Sequence, residues 1–405
     1  MRASQKNTFP MCAALLLAVA VHTHGQNLLS VEHERIYTAS EVNSSASRLF
    51  GSGAPAAKYE VDVYLLHYQT LGMDDESTPI RARLFVPRFE RTTVSPLYVF
   101  AAGTTGLTDA CRTSREDEIG INWGLYQSHM MAHAGQGTIG ILPDYMYFGD
   151  SSRLQPYFIP DAEARVLLDA VRATHSFFRD DNGLASAAGS LSNAVPSERA
   201  VLAGFSQGGH AIFAAADRVR KYAPEVTIAG LIGYGPTTDI EQIFRDFTVV
   251  AAPIIYTYAQ RYGTDRFNPE VMIRDRWLNN LEADVQRLCI LGLQDYYPWG
   301  PDTFFQPAFL DALLNRRLET AFPEIHAILR ENSTGLSGHG IPALILQGGN
   351  DVVISEADQT EFVLDLRDNS SDVRYIVYPD SRHDTRQIGF SEAQNWIIQR
   401  TISEE

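Results

Sequence analysis

The chain has 405 residues, of which 45% are apolar and 20% are charged, as in an ordinary globular protein. This composition supplies one large hydrophobic core without metals or many disulfides. The formal net charge of −16 repels phosphate backbones and anionic lipid headgroups. The charge therefore argues against nucleic acid as a partner and against purely electrostatic docking to a membrane.

The first 25 residues have the layout of a secretory signal peptide. Arg2 and Lys6 precede an uninterrupted apolar run over 11–21, which ends before His22-Thr-His-Gly25. The run is too short to span a bilayer. We therefore expect a cleaved signal peptide over 1–25 and a soluble mature protein that is secreted or periplasmic. A retained membrane anchor is the alternative.

Two cysteines remain once Cys12 leaves with the predicted signal peptide. They are Cys111 and Cys289. An even number of cysteines in an oxidising compartment suggests one disulfide. Two separate buried thiols are the alternative.

The N-terminal part predicts an arm followed by strands. Residues 26–57 are mixed and rich in Ser, Gly and Ala, which predicts an N-terminal arm with at most one short helix. Alternation of apolar and polar residues over 59–64 and 79–87 predicts two antiparallel strands. The continuous apolar run 96–100 predicts a central strand, and it ends in a loop of small residues, 101–106.

Helices and strands then alternate. The pattern predicts, in order, a helix over 116–134, a strand at 137–144, a helix over 160–178, a strand and a helix over 200–221, and a strand at 226–232. This alternation is typical of an α/β fold with a mostly parallel central sheet and helices on both faces.

His129 and His133 are four residues apart and would share one face of a helix. Two histidines at that spacing can bind a metal, but no acidic third ligand stands at helical spacing with them. We therefore interpret them as residues on a helix surface and expect no metal site.

The alternation stops over 236–340, where helical patterns rich in aromatic residues replace strands. It resumes over 341–405 with strands at 342–346 and 373–378. We therefore predict a core in two parts, 58–235 and 341–405, interrupted by an all-helical cap at 236–340. A second packing layer unrelated to access to the site is the alternative for this segment.

The sequence Gly204-Phe-Ser206-Gln-Gly208 stands between an apolar strand pattern and a helical pattern. This spacing is the nucleophile elbow, in which a sharp turn holds a serine hydroxyl clear of a sheet. Glycines at both ends omit side chains that would clash where the strand and the helix nearly touch. Ser206 is therefore the predicted nucleophile.

A serine nucleophile needs a histidine as its base and a carboxylate to orient that histidine. Asp351 follows the strand at 342–346, and His383 follows the strand at 373–378. The chain order Ser, Asp, His is that of the α/β-hydrolase fold. Asp380 and Asp384 flank His383, but sequence neighbours are poorly placed to reach its far ring nitrogen, which favours Asp351.

Two other histidines are expected to have no catalytic role. His210 lies on the elbow helix and is predicted to be packed or hydrogen-bonded, whereas His339 precedes a strand, at the end away from the site. The oxyanion of acyl transfer needs backbone donors. We expect them from Gln207 and from the loop of small residues, at Thr104.

These pieces resemble the secretory lipase family, the lipase A type of α/β-hydrolase. The segments that carry the resemblance are Ala102 to Cys111, Pro143-Asp-Tyr-Met-Tyr-Phe-Gly-Asp150, Leu168-Asp-Ala-Val-Arg-Ala173, Gly204-Phe-Ser-Gln-Gly-Gly-His-Ala211 and Gly349-Asn-Asp351. The resemblance implies an exported enzyme that hydrolyses acylglycerols and related carboxylic esters under a helical cap, without a cofactor. It also implies a disulfide between Cys111 and a cap cysteine, which Cys289 would satisfy.

Two positions depart from the family pattern. Ala102 stands where the family usually has His before Gly-Thr, and Tyr147 stands where it usually has Gly. The second departure predicts a bulky ring near the acyl or alcohol pocket.

The leading hypothesis is a serine carboxylic-ester hydrolase that forms an acyl-enzyme, acts on small-molecule or lipid esters and makes at most transient contact with a lipid interface. Lipase and short-chain esterase are both open, as is the oligomeric state. The alternative is an exported serine peptidase of the same fold, with cap carboxylates such as Glu282, Asp284 and Asp295 available to bind a peptide amine.

Overall fold

A computed structural model describes residues 27–402, apart from 117–119, 121 and 190–192. The predicted signal peptide, 1–25, lies outside the described residues. The strands are β1 (Leu28–Tyr37), β2 (Val61–Leu71), β3 (Ser77–Pro87), β4 (Thr93–Ala101), β5 (Ile139–Pro143), β6 (Ala194–Phe205), β7 (Thr227–Tyr234), β8 (Ala343–Gly348) and β9 (Val373–Tyr378).

The helices of the two core parts are α1 (Ala39–Phe50), α2 (Tyr126–Gly135), α3 (Pro160–Arg179), α4 (Leu184–Ala187), α5 (Gln207–Tyr222), α15 (Glu356–Asp368) and α16 (Phe390–Thr401). The helices of the 236–340 segment are α6 (Ile240–Asp246), α7 (Ala251–Tyr262), α8 (Pro269–Met272), α9 (Asp275–Leu278), α10 (Leu281–Arg287), α11 (Ile290–Tyr296), α12 (Pro307–Leu314), α13 (Leu318–Ala321) and α14 (Pro323–Glu331).

The strands form one nine-stranded sheet in the order β1-β2-β3-β5-β4-β6-β7-β8-β9. The pairs from β5 through β9 are parallel, and those from β1 to β5 are antiparallel. The predicted mostly parallel α/β sheet is therefore confirmed. Since the carboxyl ends of parallel strands lie at one edge, the loops after β4, β6, β7, β8 and β9 meet there.

The N-terminal segment 26–57 is more than the predicted arm. Its first strand, β1, pairs antiparallel with β2 at the edge of the sheet, and α1 follows with a capping box between Thr38 and Glu41. Most side chains of β1 are exposed or half-buried. An edge strand of this kind is held by backbone pairing, so its sequence carries no apolar run that would reveal it.

The prediction of a helix-surface position for His129 and His133 was wrong. Helix α2 begins only at Tyr126, and it packs against α1, the sheet and α16, so both imidazoles are fully buried. The Nε2 atom of His129 lies 2.9 Å from the Tyr98 hydroxyl, and Nδ1 of His133 lies 2.7 Å from Oε1 of Gln394. Burial lowers the pKa of His133 to about 4 and that of His129 well below its ordinary value.

The segment 236–340 is helical as predicted, although its division from the core as a cap remains a prediction. Its aromatic rings pack largely on one another: Phe304 and Phe305 have ring centroids 4.9 Å apart, and Trp277 and Tyr297 5.4 Å apart. These rings form the interior of the segment. All four side chains are buried, so their packing stabilises the segment.

The buried His133 predicts a loss of stability in acid. Its pKa is about 4 in the folded protein and about 6.5 in an unfolded chain. Between these two pH values the unfolded chain binds a proton that the folded protein does not. The contribution of His133 to the free energy of unfolding is therefore complete above about pH 6.5 and is lost as the pH falls through 4. The total loss is about 3 kcal/mol. His133→Asn keeps an N–H near Gln394 and does not titrate.

Urea unfolding of both proteins between pH 7 and pH 4 measures this effect. The free energy of unfolding should fall less steeply with decreasing pH in His133→Asn than in the wild type. Equal slopes in the two proteins would contradict the lowered pKa, whatever the difference in absolute stability.

Candidate active site

The turn between β6 and α5 is a strained elbow. Ser206 has φ 54° and ψ −114°, a conformation that non-glycine residues rarely adopt. A Cβ atom on Gly204 would lie 2.0 Å from the carbonyl oxygen of Gly208, and one on Gly208 would lie 2.0 Å from that of Ala101. Both positions therefore require glycine.

Two backbone hydrogen bonds hold the elbow in place. The N–H of Ser206 donates to the carbonyl of Tyr234 at 3.1 Å, and the N–H of Thr237 donates to the carbonyl of Ser206 at 3.1 Å. The strained residue is thus tied on both sides to β7 and to the loop that follows it. Such contacts are what allows an unfavourable φ/ψ pair to persist.

Asp351 and His383 come together as the sequence predicts. The Oδ2 atom of Asp351 lies 2.8 Å from Nδ1 of His383, while its Oδ1 accepts hydrogen bonds from the backbone N–H groups of Val353 and Ile354. An ionised carboxylate only accepts hydrogen bonds, so Nδ1 carries the proton and Nε2 is left as an acceptor. Among the described residues, that Nε2 atom is buried and has no hydrogen-bond partner.

The electrostatics of this pair suit a base held by a carboxylate. Burial opposes ionisation of Asp351, but His383 and the two backbone N–H groups outweigh it and hold the pKa of the carboxyl below its ordinary value. The competing Asp384 binds the guanidinium of Arg386 instead.

Ser206 and His383 line the same cavity, whose volume is about 120 Å³. Thr104, from the loop after β4, lines it as well. The apolar side chains of its wall are Trp123, Phe158, Phe205, Ile243, Phe247, Val250, Ile290 and Val353. The cavity is therefore an apolar space with a few polar groups at the ends of strands, as is usual for small-molecule sites.

Of the two expected oxyanion donors, Gln207 follows Ser206 directly and Thr104 lines the same cavity as Ser206. Gln207 is the first residue of α5, and the first N–H groups of a helix have no acceptor within the helix. The Thr104 loop packs directly on the elbow, because a Cβ on Gly103 would lie 2.8 Å from the Phe205 ring. The Thr104 hydroxyl is 2.6 Å from that of Tyr157, which fixes the side chain.

A disulfide joins Cys111 to Cys289, the pairing that the family resemblance implies. Next to it, Gly106 and Cys289 form an isolated β-bridge, and the N–H of Ile290 donates to the carbonyl of Thr105 at 2.8 Å. Ile290 lines the cavity. The disulfide therefore fastens one wall of the site to the loop that carries Thr104.

Sequence reasoning did not find Arg386, which contacts three of the site-forming segments. Its guanidinium is buried and binds Asp384, next to His383. It also donates to the carbonyl of Gly124 at 2.6 Å. It lies over two aromatic rings, 4.9 Å from the centroid of Tyr126 and 4.8 Å from that of Phe205. Cation–π contacts strengthen when the cation is desolvated. A single arginine in a loop has no pattern that would mark it in the sequence.

Glu163, which sequence reasoning did not find, binds His210 on the elbow helix. The prediction that His210 is packed or hydrogen-bonded is confirmed. The buried Glu163 carboxylate accepts from the Gln207 side chain at 2.8 Å and lies 2.5 Å from Nδ1 of His210. The other nitrogen of His210 lies 2.6 Å from the carbonyl of Asn332, at the end of α14. This contact links the elbow helix to the end of the 236–340 segment.

Tyr147 lies elsewhere than predicted. It has φ 68°, which explains why a glycine suits this position, and its hydroxyl donates to Glu76 at 2.8 Å and accepts from the N–H of Met73. The Arg153 guanidinium lies 3.8 Å from the ring centroid. Tyr147 lines a separate cavity with His67, so it anchors the β2–β3 turn and does not narrow the Ser206 cavity.

The described residues include no group of three or more His, Cys, Asp or Glu side chains that could hold a metal ion. The cavity itself is lined by neutral residues and His383.

The comparisons with known proteins agree on the fold. The family described as secretory lipase matches residues 121–255. That part of the chain is similar to the secretory lipase family, and the whole chain has the α/β-hydrolase fold. The resemblance seen in the sequence is confirmed, and with it the class of enzyme, a carboxylic-ester hydrolase.

Solved structures with a similar fold cover nearly all of this chain. A rice cell wall degrading esterase, LipA, from Xanthomonas oryzae has 18% sequence identity and a TM-score of 0.72, covering 93% of this chain and 98% of that one. A putative hydrolase from Legionella pneumophila has 15% identity and a TM-score of 0.74, covering 94% and 100%. Candida antarctica lipase A in its closed state has 16% identity and a TM-score of 0.65, covering 94% and 84%. No curated protein sequence matches this chain.

Removing the disulfide should weaken both the fold and the site. The chain-entropy treatment of a loop with a sequence separation of 178 residues gives about 5 kcal/mol. The double variant Cys111→Ala, Cys289→Ala should therefore melt at a lower temperature, and its kcat should fall because Thr105 and Ile290 lose their fixed positions. A variant that is less stable but has wild-type kcat and KM below its melting temperature would contradict the link between the disulfide and the site.

Proposed function

We propose that this protein is a secreted serine esterase in which Ser206 is the nucleophile, His383 the base and Asp351 the residue that orients the base. The observation that carries the proposal is the state of His383, which lines one cavity with Ser206. Its Nδ1 is held by Asp351, and its buried Nε2 has no hydrogen-bond partner among the described residues. A base in this state accepts a proton from a serine hydroxyl once a substrate is bound.

The reaction proceeds in two steps. His383 takes the Ser206 proton as Oγ attacks the ester carbonyl, and it then protonates the departing alcohol, which leaves an acyl-enzyme. Water attacks the acyl-enzyme with His383 again as base, and the free acid leaves as Ser206 recovers its proton. Asp351 stabilises the imidazolium that forms in each step.

The oxyanion of each tetrahedral intermediate is bound by backbone N–H groups of Gln207 and Thr104 in this proposal. The support for Gln207 is its place at the first position of α5, where the helix dipole also favours negative charge. The support for Thr104 is its place in the cavity wall. Removing one such donor typically lowers catalysis by about 3 kcal/mol.

The proposed nucleophile predicts a loss of turnover on substitution. Ser206→Ala should lower kcat on p-nitrophenyl butyrate by roughly 10⁶-fold, because the covalent intermediate cannot form. The exposed Ser337 offers a matched control, since Ser337→Ala removes a serine hydroxyl far along the chain from the elbow. A fluorophosphonate probe should label the wild type and Ser337→Ala, and not Ser206→Ala. Wild-type turnover by Ser206→Ala would refute the proposal.

The dimensions of the cavity favour short acyl groups. A cavity of about 150 Å³ in another protein holds a benzene molecule, and the cavity beside Ser206 has about 120 Å³. An acyl group of about four or five carbons fits such a space, and a long chain would need the cap to move. Within the lipase and esterase alternatives, we therefore propose a short-chain esterase.

The cavity volume predicts the chain-length profile. Across p-nitrophenyl esters from C2 to C16, kcat/KM should be highest at or below C6, and an oil–water interface should not raise it. A maximum at C12 to C16, or strong activation by the interface, would show that the cap opens and that the protein acts as a lipase.

The peptidase alternative has little support in the site. Glu282 accepts from the Tyr256 hydroxyl and Asp284 binds Arg287, and no described residue that lines the Ser206 cavity is a carboxylate. A peptide amine would therefore have no anionic partner there. The alternative would regain support only if an aminoacyl-naphthylamide were cleaved faster than an ester.

Secretion is proposed from the layout of residues 1–25 and from the family match. In the part of the chain that the structure describes, no helix has both the length and the apolar character needed to cross a membrane.

A further inference from the structure

Thr237 carries a hydroxyl in the Ser206 cavity that has no partner. The residue is only 1% exposed, it lines the cavity, and its Oγ1 atom is buried without a hydrogen bond to any described residue. Its backbone N–H is used by the carbonyl of Ser206. The side chain is thus held at the elbow, but its hydroxyl is available.

A second polar group enters the same cavity from the cap. Gln294 lies one helical turn after Ile290 on α11, and both residues line the cavity. Residues four apart share a helix face. The backbone carbonyl of Gln294 accepts from Nε1 of Trp299 at 3.2 Å, and the side-chain amide is the polar group that this residue can offer to a ligand.

The position of Gln294 relative to the elbow is fixed. The disulfide at Cys289 and the hydrogen bond from Ile290 to Thr105 fasten the start of α11 to the loop after β4. Gln294 therefore belongs to a part of the cavity wall that is held against the core. Fixed polar groups in an apolar pocket are the usual means by which a site sets specificity.

An unpartnered hydroxyl in an apolar cavity is unfavourable unless the ligand supplies a partner. Neither Thr237 nor Gln294 has a role in the acyl transfer steps themselves. A hydroxyl and a primary amide each donate and accept hydrogen bonds, so a neutral ligand hydroxyl satisfies either one. The described residues of the wall include no Asp, Glu, Lys or Arg, which argues against a charged ligand group.

We propose that Thr237 and Gln294 form a polar subsite that selects short-chain esters bearing a hydroxyl group near the ester bond. The proposal rests on the proposed esterase function and names its substrate class. The hydroxyl can belong to the acyl part or to the alcohol part of the ester, and the two cases share one recognition chemistry.

Three esters of similar size test the subsite. Ethyl butyrate has no hydroxyl, ethyl 3-hydroxybutyrate has one in the acyl part, and 2-hydroxyethyl butyrate has one in the alcohol part. The wild type should prefer at least one hydroxylated ester over ethyl butyrate in kcat/KM, and the preferred ester identifies the part that is recognised.

Thr237→Val replaces the hydroxyl by a methyl group of similar size. It should lower the ratio of kcat/KM for the hydroxylated ester to that for ethyl butyrate by about tenfold, the usual effect of one lost hydrogen bond. Thr237→Ser should keep the ratio, and Gln294→Met should lower it. Thr238→Val is the matched control, since the neighbouring Thr238 lines a different cavity.

The outcomes separate this proposal from the esterase proposal. Hydrolysis of ethyl butyrate and fluorophosphonate labelling without any preference for a hydroxylated ester would overturn the subsite and leave the esterase intact. An unchanged ratio in both Thr237→Val and Gln294→Met would also overturn the subsite. If Thr237→Val does not fold, Gln294→Met decides alone.

Discussion

The whole site depends on the close approach of three backbone segments at the elbow. The carbonyl of Ala101 and the strands and helix around Ser206 come so near that Gly204 and Gly208 have no room for a Cβ atom. This contact puts the loop after β4 beside Ser206, which adopts a positive-φ conformation. The strain is tolerated because hydrogen bonds to Tyr234 and Thr237 fix the turn on both sides.

Buried charges surround this elbow and connect it to distant parts of the chain. Arg386 ties the loop of His383 to the Phe205 and Tyr126 rings, and Glu163 ties the Gln207 side chain to His210. A buried charge that lost its partner would be strongly unfavourable. These contacts therefore hold the loops in one arrangement, which is the preorganisation that acyl transfer requires.

The 236–340 segment contributes less to the candidate site than its aromatic content suggested. Most of its rings fill its own interior, and the wall of the cavity receives a few side chains from α6, α11 and the turn before α7. The disulfide fixes α11 against the core, so this wall is held covalently. A small, fixed, partly polar cavity differs from the wide apolar channel that a long acyl chain would need.

The sequence by itself determined the elbow, the order of Ser206, Asp351 and His383, the alternation that builds the sheet and the helical nature of 236–340. These features arise from local demands, such as glycine at a crowded turn or apolar runs in covered strands, so they leave a pattern in consecutive residues. The contact between Asp351 and His383 could be predicted because both follow neighbouring parallel strands.

Only the tertiary structure decided what depends on contacts between distant segments. The edge strand β1 is held by backbone pairing, and the burial of His129 and His133 follows from α1 and α16 covering α2. Tyr147 lies outside the predicted pocket because its hydroxyl binds Glu76. The Thr237 hydroxyl is free because no described residue forms a hydrogen bond with it. Contacts of this kind leave no periodic pattern in the sequence, because the packing of the whole chain decides which side chains meet.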